Sequence, residues 1–142
     1  MDTMELTRPT VRRKRRIPLT AAPAAAATAR GQVRATVLTW DVPVDVSVAV
    51  LLASELVTNA IRHEEGETVT LVIALAGGQL RVEVHGTSRC MPVPVAGPVD
   101  AETGRGLMLV AGLSDEWGFY RTPMGKAVYF TLTGQADLDQ GG

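Results

Sequence analysis

The chain has 142 residues, of which 46% are hydrophobic, 20% charged and only 4% aromatic. That length suits one domain with its own core, the apolar fraction excludes a wholly disordered chain, and no run approaches the roughly 18 apolar residues of a membrane span. Fourteen basic and fifteen acidic side chains give a net charge of −1, yet residues 1–50 hold eight basic and four acidic groups while residues 51–142 hold six and eleven.

Residues 1–10 show no period and read as a disordered tail, as do residues 134–142, which leaves a domain at 11–133. Residues 11–19 mix the run Arg12-Arg13-Lys14-Arg15-Arg16 with Val11, Ile17 and Leu19 and read as an edge strand, where charge discourages unwanted pairing. The same run offers contacts to nucleic-acid phosphates. No aromatic residues interleave it for base stacking and no helix-turn-helix pattern follows, so nucleic acid is not the expected partner. Pro18 and Pro23 break the alanine-rich stretch behind it, which argues against an export signal. With Cys90 as the lone cysteine, a reducing cytoplasm is the expected compartment.

Alanine-rich composition predicts a helix over 24–40, interrupted only by Gly31. A second helix is predicted over 44–63, with Pro43 near its first turn. Then Val69, Leu71, Ile73 and Leu75 alternate up to Gly77-Gly78, and Leu80, Val82 and Val84 alternate after it. A two-residue Gly-Gly turn sets Leu75 opposite Leu80, Ile73 opposite Val82 and Leu71 opposite Val84. One face of this hairpin is therefore apolar, and the two helices are its expected cover. Residues 87–103, with Pro92, Pro94, Gly97 and Pro98, read as a long loop, of the kind that is functional or mobile in a compact domain. A short helix is predicted over 106–113, then strands at 117–121 and 126–133 about the turn Pro123-Met124-Gly125. This order gives an α+β two-layer sandwich with a mixed, mostly antiparallel sheet.

Three places on that frame carry chemistry. Glu55, Asn59 and Arg62 fall at i, i+4 and i+7, on one helix face, and the carboxylate and carboxamide of the first two offer the oxygen ligands that Mg²⁺ prefers. Gly104 and Gly106 precede an apolar helix whose N-terminus favours anions. Lys126, beside the last turn, reaches toward a phosphate.

The ordered set Glu55-Leu56-Val57-Thr58-Asn59-Ala60-Ile61-Arg62-His63, Leu80-Arg81-Val82-Glu83-Val84, the Pro-rich loop, Gly104-Arg105-Gly106-Leu107 and Trp117-Gly118 resembles the histidine-kinase-like ATPase domain, the GHKL superfamily with its Bergerat fold. The likeness, over about residues 12–133, is to the small bacterial branch that includes anti-sigma-factor serine kinases. It implies ATP and Mg²⁺ as cofactors. Glu55 would be the general base toward a protein serine or threonine hydroxyl, and Asn59 the Mg²⁺ ligand, with Arg62 beside it. Gly104, Arg105, Gly106 and Leu107 would form the second glycine box, with Lys126 nearby and residues 87–103 as the lid. A sigma factor or an anti-sigma antagonist is the implied protein partner, and the first edge strand is a surface for a homodimer.

One position departs. Family members carry an aspartate just after the hairpin strand, whose carboxylate accepts the adenine amino hydrogen, and Gly86 stands there. A hydrogen bond to a charged group contributes about 1.5–3 kcal/mol, so its loss weakens nucleotide binding by about one to two decades. Glu83 alternates with Arg81 and His85 away from the apolar face, and His85 is a candidate to fill part of the adenine space. The expectation is a cytoplasmic regulator with a kinase-like site and weakened nucleotide binding. A non-enzymatic interaction module that has lost ATP is the alternative, and a nucleic-acid-binding regulator stands behind both.

Overall fold

The computed structural model describes residues 12–88 and 101–134, the side chains of 101–105 excepted. Eight elements follow in chain order: β1 (Arg13–Thr20), α1 (Ala25–Thr39), α2 (Val46–His63), β2 (Thr68–Ala76), β3 (Gln79–Gly86), α3 (Ala101–Leu113), β4 (Glu116–Thr122) and β5 (Gly125–Thr133). The strands make one sheet in the order β1-β2-β3-β5-β4, and every pairing among them is antiparallel. The helices lie on one face, so the architecture is the α+β two-layer sandwich that the element order implied.

The β2–β3 register is the one read from the alternation: Leu71 opposes Val84, Ile73 opposes Val82 and Leu75 opposes Leu80. Gly77 and Gly78 take φ of 61° and 80°, the left-handed pair that a two-residue hairpin demands. Leu71, Ile73, Leu80, Val82 and Val84 are buried beneath the helices, with Val128, Phe130 and Leu132 of β5 beside them. α1 meets this layer with Ala25, Ala29, Val33, Thr36 and Val37, a one-sided stripe that runs through Gly31 without a break. α2 is buried more heavily, from Ala49 to Ala60.

Two boundaries differ from expectation. α2 starts at Val46, where the Asp45 side chain accepts hydrogen bonds from the amides of Ser47 and Val48. An aspartate cap satisfies amides that a proline in the first turn leaves open, so Pro43 stays outside the helix. α3 starts at Ala101, five residues before the predicted point, and Gly104-Arg105-Gly106 lie inside it. No helix among the described residues is long and apolar enough to cross a membrane. Cys90 and most of the 87–103 loop lie outside the described residues, as do both tails but for Gly134.

β1 is an edge strand, and its pleat divides the basic run. Arg15 turns toward α1, where its guanidinium donates to Thr36 Oγ1 at 2.5 Å and Gln32 Oε1 at 2.8 Å. Lys14 and Arg16 line the opposite, open face of the sheet.

Candidate functional site

α2 carries the first two groups. Its residues 55, 59 and 62 climb one side of the helix, and they pass from half-buried Glu55 through buried Asn59 to exposed Arg62. Asn59 is 4% exposed, and its Oδ1 atom is buried with no hydrogen-bond partner. Leaving such an acceptor unpaired costs about 1–3 kcal/mol, so its persistence needs a reason. A hard oxygen donor of this kind suits Mg²⁺, which binds proteins through one or two oxygens and takes phosphates and waters for the rest. No group of three His, Cys, Asp or Glu side chains among the described residues is placed to hold a metal, and a site of that economical type does not require one. The donor set therefore fits a magnesium-bound phosphate ligand.

α3 comes up against Glu55. A Cβ built on Gly106 would stand 2.5 Å from Glu55 Oε1 and 3.5 Å from its Cδ, so the missing side chain is what lets the carboxylate lie on the helix. Leu107 and Val110 are fully buried and hold α3 down. Because α3 starts at Ala101, the free first-turn amides belong to residues 101–103, ahead of Gly104 and Gly106. Gly104 and Gly106 thus lie within the helix, and Gly106 contributes space beside Glu55.

At the sheet end, Gly86 of β3 pairs directly with Lys126 of β5. The turn is confined to Pro123 and Met124, so Lys126 is already a strand residue, on the helix-facing side with Val128 and Phe130. It is 2% exposed, where sequence reasoning would have a turn lysine solvated. The backbones are tight here: a Cβ on Gly125 would stand 2.5 Å from Thr87 Cα.

Glu64, the residue that ends α2, was not singled out by the sequence. Its Oε1 accepts the Thr87 amide at 2.9 Å, and its Oε2 accepts the Gly66 amide at 2.7 Å and the Thr87 hydroxyl. Burial pushes its carboxyl up, but the hydrogen bonds from Thr87, Gly66 and Ser88 outweigh that and bring it below its ordinary value. The available signal was a Glu-x-Gly at a helix end, which is too common to be read alone.

The open face of the sheet carries a separate network. Glu83 accepts from Arg81 Nε at 2.6 Å and Tyr120 OH at 2.7 Å, and its Oε1 lies 2.7 Å from His85 Nε2. Arg81 in turn stacks over the Tyr129 ring at 3.8 Å. Burial alone would raise the Glu83 carboxyl, yet hydrogen bonds from His85, Arg81 and Tyr120 bring it down to about 2. His85 thus belongs to this face and does not occupy the space at Gly86, contrary to the role considered for it. Glu83 points away from that space, as its alternation required. A hollow of about 590 Å³ opens beside the network, between Arg16, Thr70, His85, Thr122 and Met124, and neither Glu55 nor Asn59 lines it.

The family model of the histidine kinase-like ATPase domain matches residues 19–132. Among solved structures, the RsbU and RsbW domains of Rv1364c from Mycobacterium tuberculosis superpose with a TM-score of 0.62 at 25% identity, over 88% of this chain and 33% of that one. The chain thus spans about a third of the length of that structure. No curated protein matches the sequence.

Proposed function

Because the chain belongs to the histidine kinase-like ATPase domain family, we propose that it is a cytoplasmic regulator that binds Mg-ATP between α2, α3 and the ends of β3 and β5. It would act on a protein partner in the manner of anti-sigma-factor serine/threonine kinases. The observation that carries this reading is the buried, unpaired Oδ1 of Asn59 one turn from Glu55.

ATP supplies the transferable phosphoryl group, and its magnesium ion neutralises the charge that develops on it. The chain's own residues position and move protons. Asn59 Oδ1 would hold the metal, the first-turn amides of α3 would receive phosphate oxygens, and buried Lys126 would add positive charge at the strand end. Glu55, kept against α3 by the missing Gly106 side chain, accepts the proton of a serine or threonine hydroxyl on the partner. Apolar Met108, Leu109 and Leu113 are exposed along α3, which supports a protein partner, a sigma factor or an anti-sigma antagonist in this reading. The β1 edge is the surface for a homodimer.

A second reading, a partner-binding module without ATP, is favoured by Gly86, which offers no acceptor for a base. A nucleic-acid role is disfavoured by Arg15, whose guanidinium is engaged with α1. Calorimetric titration with Mg-ATP tests the first reading. Micromolar to sub-millimolar binding that requires Mg²⁺ supports it, and no heat at millimolar nucleotide leaves the second.

A further inference from the structure

Gly86 and Gly66 both lack a side chain where Glu64 has its carboxylate. A Cβ built on Gly86 would fall 2.6 Å from Glu64 Oε1, and one built on Gly66 would fall 2.8 Å from Oε2. Neither glycine has a positive φ, unlike Gly77, Gly78 and Gly125, so backbone conformation does not explain their presence. What the two glycines provide is a slot, and the group in the slot is an ionised carboxylate fixed by Thr87 and Gly66. An aspartate at 86 and a glutamate at 64 would compete for one volume. The carboxylate that residue 86 does not supply is delivered to the same place from the end of α2.

We infer that Glu64 is the acceptor that recognises the exocyclic amine of adenine, in place of a side chain at Gly86; the inference rests on the nucleotide-binding reading above. A carboxylate has room for about four hydrogen bonds. The Thr87 hydroxyl is the exchangeable donor, because it rotates about its side chain while the Thr87 and Gly66 amides are fixed by the backbone. The adenine amine takes its place on Oε2, and the base is selected by a carboxylate already held in position.

The test compares Mg-ATP with the magnesium complex of purine riboside triphosphate, which lacks only the 6-amino group, by calorimetry on the full chain. The parent should prefer ATP by about tenfold or more, the usual worth of a hydrogen bond to a charged acceptor. Glu64→Ala should erase that preference, and Glu64→Gln, which keeps the shape, should reduce it even if the alanine variant fails to fold. Gly86→Asp alone should lower the melting temperature without improving ATP affinity, whereas Glu64→Ala with Gly86→Asp should recover both stability and preference. If the parent binds ATP and the Glu64 variants keep its affinity and its preference, this inference falls while the nucleotide reading stands. A parent chain that binds neither nucleotide overturns both.

Discussion

The carboxylate of Glu55 rests on the Cα of Gly106, in the space that any other residue's Cβ would take. Two helices distant in the chain thereby share one close approach, and a side chain at 106 would push the acid aside. Gly106→Ala should therefore act on the carboxylate and spare the fold. Alanine is favoured over glycine inside a helix by about 1 kcal/mol, and the clashing atom is the free end of a flexible side chain. The melting temperature should hold or rise while phosphoryl transfer to the partner falls about tenfold or more. A variant with intact transfer would show that the position of Glu55 is immaterial.

Asn59 sets stability against function. Asn59→Leu removes the unpaired buried acceptor and substitutes an apolar side chain of similar size, so stability should be unchanged or rise by about 1–3 kcal/mol. The same change should abolish the Mg²⁺-dependent increase in melting temperature that ATP gives the parent. Thermal melts with and without Mg-ATP read both effects in one experiment.

The open-face network predicts an acid limb. Glu83 titrates at about 2 against an ordinary value of 4.5, so its contribution is present above about pH 4.5 and is lost as the pH falls toward 2. Glu64, also lowered, adds in the same direction. Urea melts at pH 7 and pH 3 should show the parent losing stability, and Glu83→Gln should lose much less between the two while starting lower. Tyr120, raised to about 12 by burial and by its hydrogen bond to Glu83, stays protonated well into alkali, and its contribution fades only as the pH climbs from about 10 through 12.

Gly125→Ala tests the tight end of the sheet. The added methyl would meet the backbone of Gly86 and Thr87, which cannot rotate aside. Overpacking of this kind costs about 1–3 kcal/mol. Chemical denaturation should report that loss, together with weaker ATP binding, because Lys126 and Gly86 are displaced with it.

Local patterns made most of the frame legible. The hairpin register followed from alternation plus Gly77-Gly78, since a slip of one residue would have sent Leu71, Ile73 and Val82 to the open face. The likeness of the α2 motif to a known family brought Glu55 and Asn59 forward, and the structure adds that one is half-buried and the other orphaned. The start of α3 lay earlier than expected because Gly104 and Gly106 were read as preceding the helix. Packing on α2 lets Gly104 and Gly106 sit inside the helix, which local propensity does not register. The burial of Lys126 was not legible, because it depends on packing of the strand end rather than on the neighbouring turn. Glu64 was invisible because its partner Thr87 lies 23 positions away and its slot is made of two absent side chains.

The pleat of β1 carries a consequence for assembly. Arg13, Lys14, Arg15 and Arg16 alternate along a strand whose outer edge no other described strand covers, and only Arg15 of these is taken up by α1. Two copies meeting edge to edge would bring like charges within a few ångströms of one another. Their association should tighten as salt rises and screens that repulsion, the reverse of the loosening that salt imposes on an attractive ionic contact. Sedimentation across ionic strength would read this edge as a gate whose opening depends on the counter-ions between the strands.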